Sequence, residues 1–107
     1  MNRTLIVARI RTGAHDKVAS IFADSDATSL PHQVGVSRRS LYSLNDVYIH
    51  VVDMVGDPDQ ALRNARELPA FRRISTDLDP YIKPYDPATW RSPQDALARE
   101  FYSWSAD

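Results

Sequence analysis

The chain has 107 residues, thirteen Lys and Arg against fourteen Asp and Glu, a net charge of −1, and no cysteine. The length predicts a single domain over residues 1–107, and near-neutrality argues against a broad phosphate-binding surface, so no nucleic acid partner is expected. Without thiols there is no disulfide framework, no thiolate metal site and no cysteine nucleophile, and no apolar run reaches the roughly 20 residues of a membrane span.

Residues 3–10 are short and rich in β-branched side chains, which predicts a strand. Thr12-Gly13 precedes a predicted helix over about 14–25, with Thr12 as its cap, Asp16 in its first turn, and Val18, Ile21, Phe22 and Ser25 on its buried side. Asp26–Pro31 is polar and ends that helix. Val34–Leu44 and Val47–Met54 read as two strands joined at Asn45-Asp46, residues that tolerate the backbone of a two-residue hairpin turn. Asp57-Pro58-Asp59-Gln60 starts a helix to about Glu67, with Asp57 as cap and Gln60 able to complete a capping box. Pro69 starts another helix with Phe71, Ile74 and Leu78 on one face. Residues 80–93 hold four prolines and read as irregular. Ser92-Pro93-Gln94-Asp95 opens a short last helix, and Phe101–Trp104 reads as an aromatic fourth strand.

The resulting order is βαββαβ, the ferredoxin-like α+β plan, with a four-stranded antiparallel sheet covered by helices on one face. Core-type residues would remain on the other face, so a homodimer is expected. The N-terminal Met-Asn-Arg-Thr-Leu-Ile-Val-Ala-Arg run stops too early for a signal peptide, and a cytoplasmic location is expected.

The hairpin turn fixes a register. Leu44 should face Val47, Ser43 Tyr48, Tyr42 Ile49, Leu41 His50, and Arg39 Val52. Arg39, Leu41, Ser43, Tyr48, His50 and Val52 then share one side of the sheet. Tyr42, Leu44, Val47, Ile49 and Val51 share the other, and this nearly all-apolar set is expected to pack against the helices. The first set mixes a guanidinium, an imidazole and a phenol with apolar residues, as a ligand cavity does. Each has a plainer reading: a structural His, an Arg paired with a carboxylate, a Tyr at the core edge. Their shared face is what raises Arg39 and His50 as candidates, His50 for proton transfer and Arg39 for holding an enolate or carbonyl. His32, after Leu30-Pro31, either edges a pocket or is solvated. The cations are eleven Arg and two Lys. Codon usage accounts for that bias, and planar hydrogen bonding by selected Arg is the competing reading.

From Asp26 to His50 the pattern becomes specific: Asp26, Thr28, Leu30-Pro31, Gly35-Val36, Arg38-Arg39, Leu41, and Asp46-Val47-Tyr48-Ile49-His50. With Tyr81, Pro84-Tyr85, Trp90 and Phe101-Tyr102-Ser103-Trp104, it resembles the tetracenomycin-type polyketide cyclases of actinobacteria over essentially the whole chain. The resemblance implies a ferredoxin-like dimer and a cofactor-independent enzyme of aromatic (type II) polyketide biosynthesis, in an antibiotic or spore-pigment pathway. It would close a late ring of an aromatic polyketide intermediate by intramolecular aldol condensation and dehydration, needing neither cofactor nor metal. An acyl carrier protein or other synthase subunits are implied as partners.

The family's pocket residues carry over onto Asp26, Arg39 and His50. One member of the family has a His just before the Asp where this chain has Ser25, which moves the expected proton transfer onto His50 and Asp26. Asn45 likewise replaces a His of that member. His50 is then the expected base and later acid, Asp26 orients it or shares the proton, and Arg39 holds the enolate. Tyr48, Tyr102 and Trp104 supply flat walls, with His32 also at the substrate. Two other classes fit the same fold: a cofactor-independent quinone-forming monooxygenase, and an RNA-recognition sheet, the latter opposed by the charge balance.

Overall fold

The computed structural model describes residues 2–91 and 93–106, without the side chains of Pro58, Asp59, Leu62, Pro93 and Gln94. In chain order the elements are β1 (Asn2–Ile10), α1 (His15–Asp26), α2 (Leu30–Val34), β2 (Val36–Leu44), β3 (Val47–Met54), α3 (Pro58–Ala65), α4 (Pro69–Leu78), β4 (Ile82–Pro84) and a 3₁₀ turn at Pro93–Ala96. The strands form one antiparallel sheet in the order β2-β3-β1-β4. This is the ferredoxin-like arrangement expected. No described helix is long and apolar enough to cross a membrane.

The β2–β3 register is the expected one, from Leu44 opposite Val47 to Arg39 opposite Val52. Asn45 takes the left-handed conformation at φ 55°, which an Asn accommodates at low cost. Beyond Arg39 the pairing shifts: Arg38 faces Asp53 and Val36 faces Met54, with Ser37 bulged between them. One extra residue moves Val36 onto the same side as Arg39. Gly35, at φ 80°, ends α2 and allows the turn into β2, and a Cβ there would lie 3.3 Å from the Val55 carbonyl oxygen.

Four expectations need correction. Thr12 does not cap α1; Ala14 occupies the cap position without a side-chain bond, and its N–H reaches the Arg11 carbonyl at 3.1 Å. Val34 belongs to α2, a short helix inside the stretch read as loop and strand. The fourth strand is Ile82–Pro84, inside the proline-rich stretch. It is an edge strand pairing only with β1, where Pro84 is tolerated because the outer N–H positions need no partner. Phe101–Trp104 forms no strand, and Phe101 is 95% exposed. The β1 edge it would have used is taken by β4 and by Leu97, which bridges Ile6. The Ser92 cap lies outside the described residues; Pro93–Ala96 is a 3₁₀ turn.

The sheet's sidedness is also reversed from the expectation. Tyr48, His50 and Val52 are buried beneath the helices beside Phe22 of α1, whereas Tyr42 and Leu44 are exposed on the open face with half-buried Val47, Ile49 and Val51. The mixed set can lie inside because Arg39 and His50 bond one another and a cavity remains beside them. The core runs along this inner face. Ala8, Ile10, Val18, Phe22 and Tyr48 pack with Ile74 and Leu78 of α4 and with Trp90, while Val52 and Met54 pack with Val36, Ala61, Phe71 and Leu97. The α4 face predicted from Phe71, Ile74 and Leu78 is the one turned to this core.

Candidate active site

The strand register sets Arg39 on β2 and His50 on β3 on one face and diagonal to one another. The Arg39 Nη1 donates to His50 Nε2 at 3.0 Å. A guanidinium has no acceptor, so Nε2 must receive this bond and the neutral ring carries its proton on Nδ1. Burial, and then the nearby Arg39 charge, push the His50 pKa down from 6.5 to about 3. His50 is therefore a neutral acceptor at any ordinary pH, with its Nε2 lone pair occupied.

Asp26 closes α1 and meets Arg39 from the other side. Arg39 Nε lies 3.0 and 3.2 Å from the two carboxylate oxygens, and Nη2 donates at 2.9 Å. Thr28 shapes the turn behind Asp26: its hydroxyl donates to the Ser25 carbonyl at 2.6 Å and accepts from the Leu30 N–H at 3.2 Å. One helical turn before Asp26, Phe22 stacks beneath the guanidinium at 4.8 Å and meets the His50 ring edge-on at 5.1 Å. Arg39 is thus clamped by a carboxylate, an imidazole and a phenyl ring, with its side chain only 15% exposed.

Arg39, His50 and Phe22 border a cavity of about 330 Å³ between sheet and helices, walled chiefly by Phe22, Leu30, Tyr48, Phe71, Ile74 and Trp90, and Asp26 reaches it through its pairing with Arg39. Tyr48 is buried, its ring 6.3 Å from His50. Burial raises its pKa, which keeps the phenol protonated. Its hydroxyl makes no hydrogen bond among the described residues, so it remains a free donor toward the cavity.

Of the residues singled out in the sequence, Asp26, Arg39, Tyr48 and His50 come together. His32 does not line the cavity; it is exposed on α2 and faces an outer groove. Tyr102 and Trp104, each 76% exposed, lie outside the cavity, because the tail leaves the sheet after Leu97. Sequence reasoning missed Phe22, Phe71 and Trp90 as cavity walls. Phe22 was legible as the residue one turn before Asp26, but its contact with Arg39 depends on how α1 crosses the sheet.

A model of the polyketide synthesis cyclase family matches residues 2–105. The chain belongs to this family. Relatives include an uncharacterized protein of Streptomyces coelicolor, 50% identical over 97% of this chain and 95% of its own. Polyketide synthase CurG of Streptomyces cyaneus is 44% identical over the whole of both chains. Tetracenomycin F2 cyclase of Streptomyces glaucescens is 36% identical over 97% of this chain and 94% of its own. The solved structure of that type II polyketide cyclase superimposes with a TM-score of 0.91 over the full length of both chains. SnoaB, a cofactor-independent oxygenase from Streptomyces nogalater, shares the fold at a TM-score of 0.56 and 23% identity, over 78% of this chain and 86% of its own. Within a polyketide cyclase, the apolar cavity beside a clamped arginine is the candidate active site.

Proposed function

We propose that this polyketide cyclase closes a late ring of an aromatic type II polyketide intermediate by intramolecular aldol condensation and dehydration, without a cofactor. The observation that carries the reading is Arg39 at the edge of an aromatic-walled cavity. Three of its five N–H groups are engaged by Asp26 and His50, which leaves one on each terminal nitrogen for substrate.

The substrate has methylenes acidified by flanking ketones. Its C–H proton passes to the Asp26 carboxylate, and the electron pair becomes an enolate held by the two remaining Arg39 N–H groups. The enolate carbon attacks a second carbonyl within the same chain. That carbonyl oxygen takes the proton back from Asp26 and becomes a hydroxyl; a second C–H proton then passes to Asp26 and on to the hydroxyl, which leaves as water as the C=C bond forms and the ring aromatises. Preorganised donors aimed at developing charge act strongly in a site shielded from water. The cavity holds one folded conformer and so favours one closure over others.

This reading moves the base from His50 to Asp26. His50 serves instead as the acceptor that fixes the Arg39 plane. The test is single-turnover cyclisation by Asp26→Asn, Arg39→Ala and His50→Gln, with and without oxygen. Loss of about 100-fold or more in the first two, a retained rate in the third and no oxygen requirement support it. An absolute need for oxygen would favour a quinone-forming monooxygenase instead.

Two copies are proposed to pair through the open sheet face, where Tyr42 and Leu44 leave a large apolar area in water. Sedimentation of the wild type against Leu44→Glu tests this, a dimer giving way to a monomer. An acyl carrier protein or another synthase subunit fits the same setting as a source of substrate.

A further inference from the structure

Outside the cavity, a second concavity of about 940 Å³ runs between α2, the start of β2 and α3. It meets the cavity along Pro31, Val34, Val36 and Arg39, which line both. Arg39 stands at this junction, paired with Asp26 on the groove side. The linings differ in kind. The cavity is walled by aromatic and aliphatic side chains, and the groove sets polar His32, Gln33, Gln60 and Asn64 among apolar Val55 and Ala61. The Ser37 bulge turns Val36 into the cavity mouth, while the tight approach of Gly35 to Val55 holds α2 beside β2.

We infer that the groove is the second half of the substrate site and receives the oxygen-rich, not yet aromatised end of the polyketide, while the flat aromatised rings occupy the cavity. The inference rests on the cyclase reading above. A 330 Å³ cavity is at the small end of ligand sites, enough for part of an extended polyketide but not for all of it. The remainder must leave through a mouth, and the groove continues from this one.

Its chemistry suits neutral carbonyls and enols. The His32 ring makes no side-chain hydrogen bond or ion pair among the described residues, while the Arg38 charge acts on Asp53, its cross-strand partner. Gln60 and Asn64 lie one turn apart on α3 and are joined by a bond of 3.0 Å. Asp26 pairs with Arg39, and the two carboxylates and two guanidinium groups of the lining cancel in formal charge, so the groove has little net charge to draw a carboxylate. The consequence is regiochemical: the substrate spans the Arg39–Asp26 pair, and the new ring forms where the aromatic part meets the polycarbonyl end.

Calorimetric titration of the full chain with two probes tests this. One is 1,8-dihydroxyanthracene; the other is the same nucleus carrying an acetoacetyl side chain. The acetoacetyl probe is expected to bind about tenfold more tightly. His32→Ala combined with Gln60→Ala and Asn64→Ala should abolish that difference while leaving the parent's affinity unchanged. Equal binding of the two probes, or variants that weaken both alike while circular dichroism stays native, overturns the groove assignment and leaves the cyclase reading intact. Failure of both probes to bind the wild type overturns the cyclase reading itself, and the groove assignment with it.

Discussion

Arg39 and His50 form a pair whose protonation is decided by burial. Solvent exclusion and the adjacent guanidinium hold His50 neutral, with a pKa of about 3, so the cyclisation rate is predicted to show no limb from this group near pH 6.5. An NMR titration of the His50 ring carbons should stay at neutral shifts down to about pH 4; a midpoint near 6.5 would reject the acceptor role. In the unfolded chain the same imidazole titrates near 6.5, so unfolding takes up a proton between about pH 6.5 and 3. Stability is therefore retained above that window and falls as pH drops through it, with a slope of at most about 1.4 kcal/mol per pH unit. His50→Gln should flatten the slope, as measured by urea unfolding at pH 4.5 and 7. Tyr48 gives a third residue-scale prediction. Its unbonded, protonated hydroxyl is a donor for a substrate oxygen, so Tyr48→Phe should weaken turnover about three- to tenfold with little change in folding.

Among the elements, the hairpin was the most legible. Asn45-Asp46 set the turn, alternation set the faces, and both survive in the structure because one turn residue accepts a positive φ. The starts of α3 and α4 were legible from Pro58 and Pro69. What failed was information that no local stretch contains. Both sides of the β2–β3 hairpin are apolar enough to bury, and the choice fell to the side where Arg39 could find Asp26 and where Phe22 could cover it. The tail shows the same limit: Phe101-Tyr102-Ser103-Trp104 has strand-like residues, but β1's second edge was already taken by Ile82–Pro84 and Leu97. The Ser37 bulge carries a prediction at this scale. Deleting Ser37 would restore simple alternation and turn Val36 away from the cavity, so product selectivity should fall even if Arg39 keeps its partners. Product ratios from one substrate check it.

At the scale of the whole molecule, a 107-residue chain builds its site by leaving a gap between sheet and helices rather than by filling it. Stability must then come from the packed remainder, chiefly the cluster around Val18, which is fully buried against Phe22 and Tyr48. Val18→Ala should destabilise the chain by about 2 kcal/mol while leaving product identity unchanged, as followed by thermal unfolding and product analysis. The candidate residues Asp26, Arg39, Tyr48 and His50 were all readable from the sequence, but the division of labour among them was not. It depends on which nitrogen of His50 meets Arg39, and that emerges only from the packed structure. On the proposed mechanism Arg39, clamped by Asp26 and His50, holds the reacting oxygen of a polyketide seated in the cavity. The most direct measurement is the rate and product distribution of Arg39→Ala against wild type on an uncyclised aromatic polyketide. Arg39→Ala is expected to react at least about 100-fold more slowly and to give a mixture of closures. An unchanged rate with an unchanged single product would contradict it.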